Sequence, residues 1–367
     1  MNKQTPLFTW HRSHGAKITP FAGWDMPLQY HTGPIQEHHL VRRSAGVFDI
    51  SHMGRIRFSG AAARDVLQSV LTANIASIEH GMSAYSLMCR DDGTIIDDVF
   101  VYRWHDEYVA VVNAANHDRD LAWFHGHAGN NELVIHDETR ATAGIALQGP
   151  LAASLLELIS TSDVSSLPRF GCAVIAVNDT EMLAGRTGYT GEDGFELFPP
   201  ADTAETVWDR LFEVSAEQGV DFGPCGLAAR DSLRFEAGFH LYGHELDDTT
   251  GPVEARLAWA CALGTEFVGR NAIESQMNNG VPRRLCTFVM TDPAVPRQGY
   301  AVLDSEGNTI GTVTSGMRAP SVDVYAGNAF VSREFARTGT EIVIDVRGRR
   351  KVARVVKRPL YTPRYRV

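Results

Sequence analysis

Leu285-Cys286-Thr287-Phe288-Val289-Met290 opens the stretch on which the fold turns. β-branched and aromatic residues suit a pleated, half-buried surface. Five further short apolar runs follow, at 301–304, 309–315, 328–331, 341–346 and 351–356. Glu306-Gly307-Asn308 and Arg347-Gly348 supply turns between them. Short strands at this spacing, without helical periodicity, predict a small sandwich or barrel over 283–367.

The pattern changes upstream. Residues 251–282 hold Gly269 and Asn278-Asn279-Gly280 and read as a connector. From 142 to 242 strands (145–147, 172–177, 182–185) alternate with helices (150–158, 203–218, 227–237), the last closed by Gly238. Between 49 and 139 the periodicity predicts a helix at 61–71 and a hairpin of 81–89 with 95–104. Asp91-Asp92-Gly93-Thr94 forms its turn. A strand at 108–113 and a helix at 118–127 follow. A helix at 34–44 is stopped by Gly46, and short strands fall at 47–49 and 53–58. Thr5 to Tyr30 mixes turn formers with aromatics and shows no clear element.

A chain of 367 residues, 44% hydrophobic and 21% charged, exceeds one ordinary core and predicts two or three domains. Its net charge of −10 argues against a nucleic-acid surface, though a pocket can be locally basic. No signal-like apolar region opens the chain and no apolar run is long enough to span a membrane, so a cytoplasmic protein is expected. The five cysteines are scattered without a CxxC pair and read as reduced thiols. Neither His125-Gly126-His127 nor Glu37-His38-His39 has partners at metal-ligand spacing, so no metal is expected.

Three segments could carry chemistry. Asp97-Asp98 lies in a strand, so one carboxylate faces in and the other out. The plainer reading is a pair that caps a turn. Gly188-Tyr189-Thr190-Gly191-Glu192-Asp193-Gly194-Phe195-Glu196-Leu197 permits a tight turn and close backbone approach. Glu196 on its exit could accept two hydrogen bonds from a planar N–C–N edge. The plainer reading is a hairpin turn with Glu192 and Asp193 in solvent. Arg230 and Arg234 share a helix face, where guanidinium forks suit an anionic ligand. The plainer reading pairs Arg230 with Asp231, Glu236 or a neighbouring element.

Together with Pro20-Phe21-Ala22-Gly23-Trp24, Phe48-Asp49-Ile50-Ser51-His52-Met53-Gly54, Val111-Val112-Asn113-Ala114, Leu147-Gln148-Gly149-Pro150 and Pro252-Val253-Glu254-Ala255, these segments run collinearly over nearly the whole chain. In that order they resemble the T-protein (aminomethyltransferase) family of the glycine cleavage system. The resemblance implies an α+β, three-domain cloverleaf: a discontinuous first domain (1–48 plus 140–250) and a second (49–139), both mixed α/β. A connector (251–282) and a β-barrel or jelly-roll-like C-terminal domain (283–367) complete it, around a central folate cavity.

It further implies tetrahydrofolate as cofactor and a lipoylated H-protein as partner. Asp98 matches the family's catalytic carboxylate, Glu196 the acid that grips the pterin, and Arg230 an arginine beside it. Met53, Tyr85, Asn113, Tyr189 and Tyr365 match pocket-lining positions. Departures from the family pattern at Arg90–Thr94 and Ala319–Phe330 leave these residues intact. They keep a second expectation open, a related folate-dependent demethylase of a small methylated compound. A folate-binding accessory protein is disfavoured, because its Lys-Gly-Cys motif is absent and Asp98 is present.

Overall fold

Gly238 takes a left-handed φ of 76°, costly for any residue with a Cβ, and ends the helix Leu227–Ala237 where the sequence places its stop. That helix buries Ala229 and Leu233 against a six-stranded sheet. The structure, a computed structural model, describes residues 2–129 and 132–366. Met1 and Val367, which the expected domain limits include, and Asn130 and Asn131 lie outside the described residues.

The six-stranded sheet runs Cys172–Val177, Thr180–Gly185, Gly194–Phe198, Ile145–Gln148, Ala45–Asp49 and Phe222–Pro224. Its strands Ala45–Asp49, Ile145–Gln148 and Gly194–Phe198 are buried along their whole length, as strands covered on both faces are. The helices Ala152–Ile159 and Ala204–Glu217 cover one face, with Leu155, Leu156, Trp208 and Leu211 in the core. The helix Pro34–Arg43 packs on the other through Leu40 and Val41.

Ile145 stands opposite Asp49 in register. Between these neighbours the chain builds a second, five-stranded sheet: Met82–Cys89, Ile95–Trp104, Glu107–Val112, Gly54–Ser59 and Val134–Asp137. The helices Ala63–Val70 and His117–Ala128 close its back, with Phe58 and Phe124 in edge contact at 4.8 Å. Its front side chains Tyr102, Val109 and Val111 meet the first sheet at Phe48, Ala146 and Leu183.

The C-terminal stretch is a closed barrel of Arg283–Met290, Val324–Ser332, Thr309–Ala319, Ala301–Leu303, Glu341–Val346 and Arg349–Val356. Inward residues such as Phe288, Val302, Ile344 and Ala353 fill it. The expected mixed α/β units and β-barrel are thus present. Where the sequence showed no clear element, Thr5 to Tyr30 holds the helix Phe8–Ser13 and the strands Lys17–Phe21 and Trp24–Gln29, which form a small sheet with Lys3–Gln4 just before it. Residues 251–282 carry a helix, Arg270–Asn279, that buries only Ile273 and so leaves almost no apolar period to read. Among the described residues no helix is long and apolar enough to cross a membrane.

Candidate active site

The bulge between Met88 and Cys89 precedes the turn that sends Ile95–Trp104 back along Met82–Cys89. In that return strand Asp97 and Asp98 point to opposite faces. Asp97 is sealed behind the sheet, and Asp98 faces a cavity of about 1060 Å³. Tyr85, on the paired strand, donates its hydroxyl to Asp98 Oδ2 (3.1 Å). Asn113 ends the neighbouring strand, and its amide Nδ2 donates to Asp98 Oδ1 and to Asp97 Oδ1, both at 2.8 Å. Burial, reinforced by the charge of Asp97, pushes the Asp98 carboxyl up to about 7. The pair is therefore not a turn cap: the backbone turn is capped by Asp92, which accepts from Thr94 N at 2.9 Å.

The glycine-rich segment forms the opposite wall. A Cβ on Gly188 would strike the Gln148 amide, which binds Thr187 O (3.0 Å) and the Thr190 hydroxyl (2.7 Å). Gly191, at φ +83°, lies against Ala237. This packing directs Glu196 to the cavity rim. Tyr102 and Thr187 hydroxyls donate to its Oε2 at 2.8 and 2.6 Å, while Oε1 takes no hydrogen bond from a described residue. Glu192 and Asp193 are not solvated turn residues. Glu192 is buried and accepts from Arg42 Nη1 (3.0 Å) and from the Tyr361 hydroxyl (2.6 Å). Asp193 pairs with Arg186 at 2.6 Å.

The plainer reading of Arg230 fails as well, because its neighbours are otherwise engaged. Asp231 pairs with Arg234 (2.8 Å), and Glu236 pairs with Arg42 (3.2 Å). Arg234 reaches on to Glu245 (2.7 Å), whose Oε1 accepts from Thr314 and Ser315 of the barrel at 2.8 and 2.5 Å. Burial opposes the Glu245 charge, yet Arg234 and these hydroxyls hold its carboxyl down to about 2. Among the described residues Arg230 has no such partner. Its guanidinium lies 4.8 Å over the Tyr189 ring, and Nη1 is buried without a hydrogen bond. Burial lowers its pKa, and Glu196 is the first charge that opposes the fall. A buried donor left open calls for an anionic or acceptor ligand.

All eight residues singled out from the sequence, Met53, Tyr85, Asp98, Asn113, Tyr189, Glu196, Arg230 and Tyr365, line this one cavity. Tyr189 stacks on Phe239 (5.7 Å) and Tyr365 lies against Arg169 (3.9 Å). Other residues in or behind the cavity wall escaped the sequence reading. His52 is held neutral, pushed down to about 3 by burial and then by the Arg230 charge. Tyr102 orients Glu196 from 94 residues away. Trp259, 71% exposed at the rim, stacks on Tyr85 at 5.6 Å. An exposed tryptophan beside a cavity is the one signal that could have been sought in the sequence, but its exposure cannot be read there.

A chamber between two helix-backed sheets and a barrel, with an ionisable carboxylate, an open carboxylate oxygen and a free guanidinium turned into one void, defines an enzyme that holds a small, hydrogen-bonding molecule. Comparison with known proteins makes this specific. Residues 7–265 match the GCVT N-terminal domain, and residues 283–362 match the glycine cleavage T-protein C-terminal barrel domain. The chain is 43% identical over 366 residues to the aminomethyltransferase of Herpetosiphon aurantiacus, covering 99% of each. It is 40% identical over 365 residues to that of Geobacillus kaustophilus, covering 98% of this chain and 99% of the relative. The crystal structure of the glycine cleavage system aminomethyltransferase T from Bartonella henselae superposes with a TM-score of 0.93 at 33% identity, covering 100% of this chain and 99% of that one. The chain belongs to the glycine cleavage T-protein family, as the collinear motifs implied.

Proposed function

We propose that the cavity binds tetrahydrofolate and that Asp98 is the catalytic carboxylate, acting on a one-carbon unit delivered by the lipoyl arm of an H-protein. That the chain is an aminomethyltransferase follows from its family and its full-length relatives. The observation that carries the ligand assignment is the open Arg230 guanidinium facing the same void as Glu196 and Asp98. A pterin presents adjacent N–H donors at one edge and acceptors beside them. Glu196 Oε1 suits the first and Arg230 suits the second. Tyr189, Met53 and Tyr365 supply apolar surface for the flat ring, and Tyr85 and Asn113 fix Asp98.

Tetrahydrofolate, when bound, supplies the nucleophilic nitrogens that receive the methylene. The chain's own part is position and field. Asp98, ionised above about pH 7, stabilises positive charge that develops at its edge of the cavity, and its pKa suits proton exchange near neutrality. The aliphatic and aromatic walls keep water from the reacting carbon. In the overall reaction ammonia leaves, the methylene ends on the folate and the arm departs as a dithiol. We propose the domain division at 1–48 plus 140–250, 49–139 and 283–367 on the same reading, with each domain contributing to the wall.

The test is an ammonia-release assay with purified protein, tetrahydrofolate and aminomethylated lipoyl H-protein. Folate-dependent ammonia with an equal amount of methylene-tetrahydrofolate is the expected result. Protein that binds tetrahydrofolate by calorimetry yet releases no ammonia would overturn the donor assignment.

A further inference from the structure

A second pair of carboxyls lies behind Asp98, on the far face of its strand. Asp97 and Asp120 are both fully buried, and their carboxyls are in hydrogen-bond contact. The supply of donors to the two is unequal. Asp97 accepts from the Asn113 backbone N–H (2.9 Å), the Asn113 amide (2.8 Å) and the Asn116 amide (2.6 Å). Neither oxygen of Asp120 receives an N–H or an O–H from a described residue. Its nearest cation is Arg119 Nε at 4.0 Å, a neighbour on the same helix.

Two bare carboxylates cannot share a dry contact, so one proton must stay between them. It belongs on the carboxyl without donors, because an ionised oxygen there would have nothing to accept from. The geometry points to Asp120 as a positioning residue for the transfer reaction: a protonated acid that donates to Asp97, keeps Asp97 ionised, and so clamps the Asn113 amide that holds Asp98. Burial and the charge of Asp97 both raise the Asp120 carboxyl, up to about 11, in keeping with this assignment. The Asp98 charge adds to the rise and Arg119 opposes it. On the cavity side Asp98 faces Tyr85 and Asn113, the charge of Asp97 reaches it from behind the strand, and its own charge is felt at Tyr189.

The local sequence serves this arrangement. Asn113 and Asn116 lie in the turn that enters the helix His117–Ala128, and Asp120 follows in its first turn. Asp120 N–H is satisfied by Asn116 O at 2.9 Å, which fixes the carboxyl beneath the strand. The short stretch 113–120 therefore provides all three donors to Asp97 and the acid that keeps it charged.

The proposal rests on the reading of Asp98 above, and its test separates the two. Infrared spectra of the parent protein above pH 8 should show the C=O stretch of a buried carboxylic acid, absent from Asp120→Asn. That measurement needs no activity. In turnover, Asp120→Asn can still donate to Asp97 through its amide. It should keep kcat within about twofold and leave the acid limb of the pH profile in place.

Asp120→Ala leaves Asp97 to take the proton itself. The charge beside Asp98 then disappears, the acid limb moves to lower pH, and kcat falls about tenfold with KM for tetrahydrofolate unchanged. A carboxylic acid band that persists in Asp120→Asn would overturn the proposal. Equal losses in both variants with an unmoved limb would do the same, since that is the signature of a structural part alone. A parent enzyme without ammonia release would defeat the donor reading and leave the infrared result standing as the test of the proton's place.

Discussion

Replacing Arg230 with methionine should make the ligand-free protein more stable while weakening its hold on tetrahydrofolate. The stem of the side chain is similar in both residues, so packing is largely kept. What disappears is a guanidinium whose Nη1 is buried without an acceptor. An unsatisfied buried donor costs about 1–3 kcal/mol. The contact with the Tyr189 ring, at 4.8 Å, returns about 0.5–1 kcal/mol of that. The balance is a gain of up to about 2.5 kcal/mol for Arg230→Met. In a chain of 367 residues each kcal/mol moves the unfolding midpoint by roughly 1 °C, so a rise of up to about 3 °C is expected. Binding moves the other way. Losing a hydrogen bond from a charged donor to the ligand removes about 1.5–3 kcal/mol, or about 10–150-fold in Kd. Thermal unfolding with and without tetrahydrofolate, joined to calorimetric titration, reads both quantities. The reasoning is refuted if the variant unfolds below the parent in the absence of ligand, or if it binds tetrahydrofolate as tightly as the parent.

Asp98→Asn keeps the shape of the carboxyl but not its charge; turnover should fall by about 10²–10⁴ while calorimetry still finds tetrahydrofolate bound. Turnover of the parent should fall as pH drops below about 7, where Asp98 takes up a proton, and a pH–rate profile flat through that range would contradict the assignment. The same raised pKa means that the folded chain holds this proton more tightly than the unfolded one. Its stabilising contribution is present at acid pH and is lost as pH rises toward about 7. Glu196→Ala should abolish detectable folate binding, as measured by calorimetry. A Cβ at Gly185 would press on the Tyr102 ring, so Gly185→Ala should lower stability by about 1–3 kcal/mol in denaturant melts and weaken folate binding with it, because Tyr102 holds Glu196.

The elements legible in the sequence were those with local signals. Ile95–Trp104 follows a turn of Asp and Gly, Cys172–Val177 is a short apolar run, and Leu227–Ala237 ends on a glycine that must be left-handed. The barrel was legible because its strands are short and evenly punctuated. Arg270–Asn279 was not, for want of an apolar face, and neither was the edge strand Val134–Asp137, which is exposed along most of its length. The site divides in the same way. Asp98, Glu196 and Arg230 sit in dense motifs. What decides their behaviour comes from far along the chain: Tyr102 for Glu196, barrel hydroxyls for Glu245, and Arg42 with Tyr361 for the turn around Glu192. No spacing rule announces such partners. The freedom of Arg230 was hidden for the same reason, since it exists only because Arg234 and Arg42 have already taken the acids nearby.

The register of Ile145 beside Asp49 has a consequence for birth of the chain at the ribosome. All five strands of the second sheet are made by Asp137, and only edge contacts such as Ser83 N–H to Phe170 O and Ile95 N–H to Thr250 O wait for later chain. The strand Ala45–Asp49, although made earlier, must wait for Ile145–Gln148 on one edge and Phe222–Pro224 on the other. Nascent chains stalled after residue 140 should therefore protect the segment 54–137 from protease while residues 34–49 remain open to cleavage. The order of synthesis and the order of consolidation run in opposite directions across this junction, and the later-born strands set the time at which the earlier one is secured.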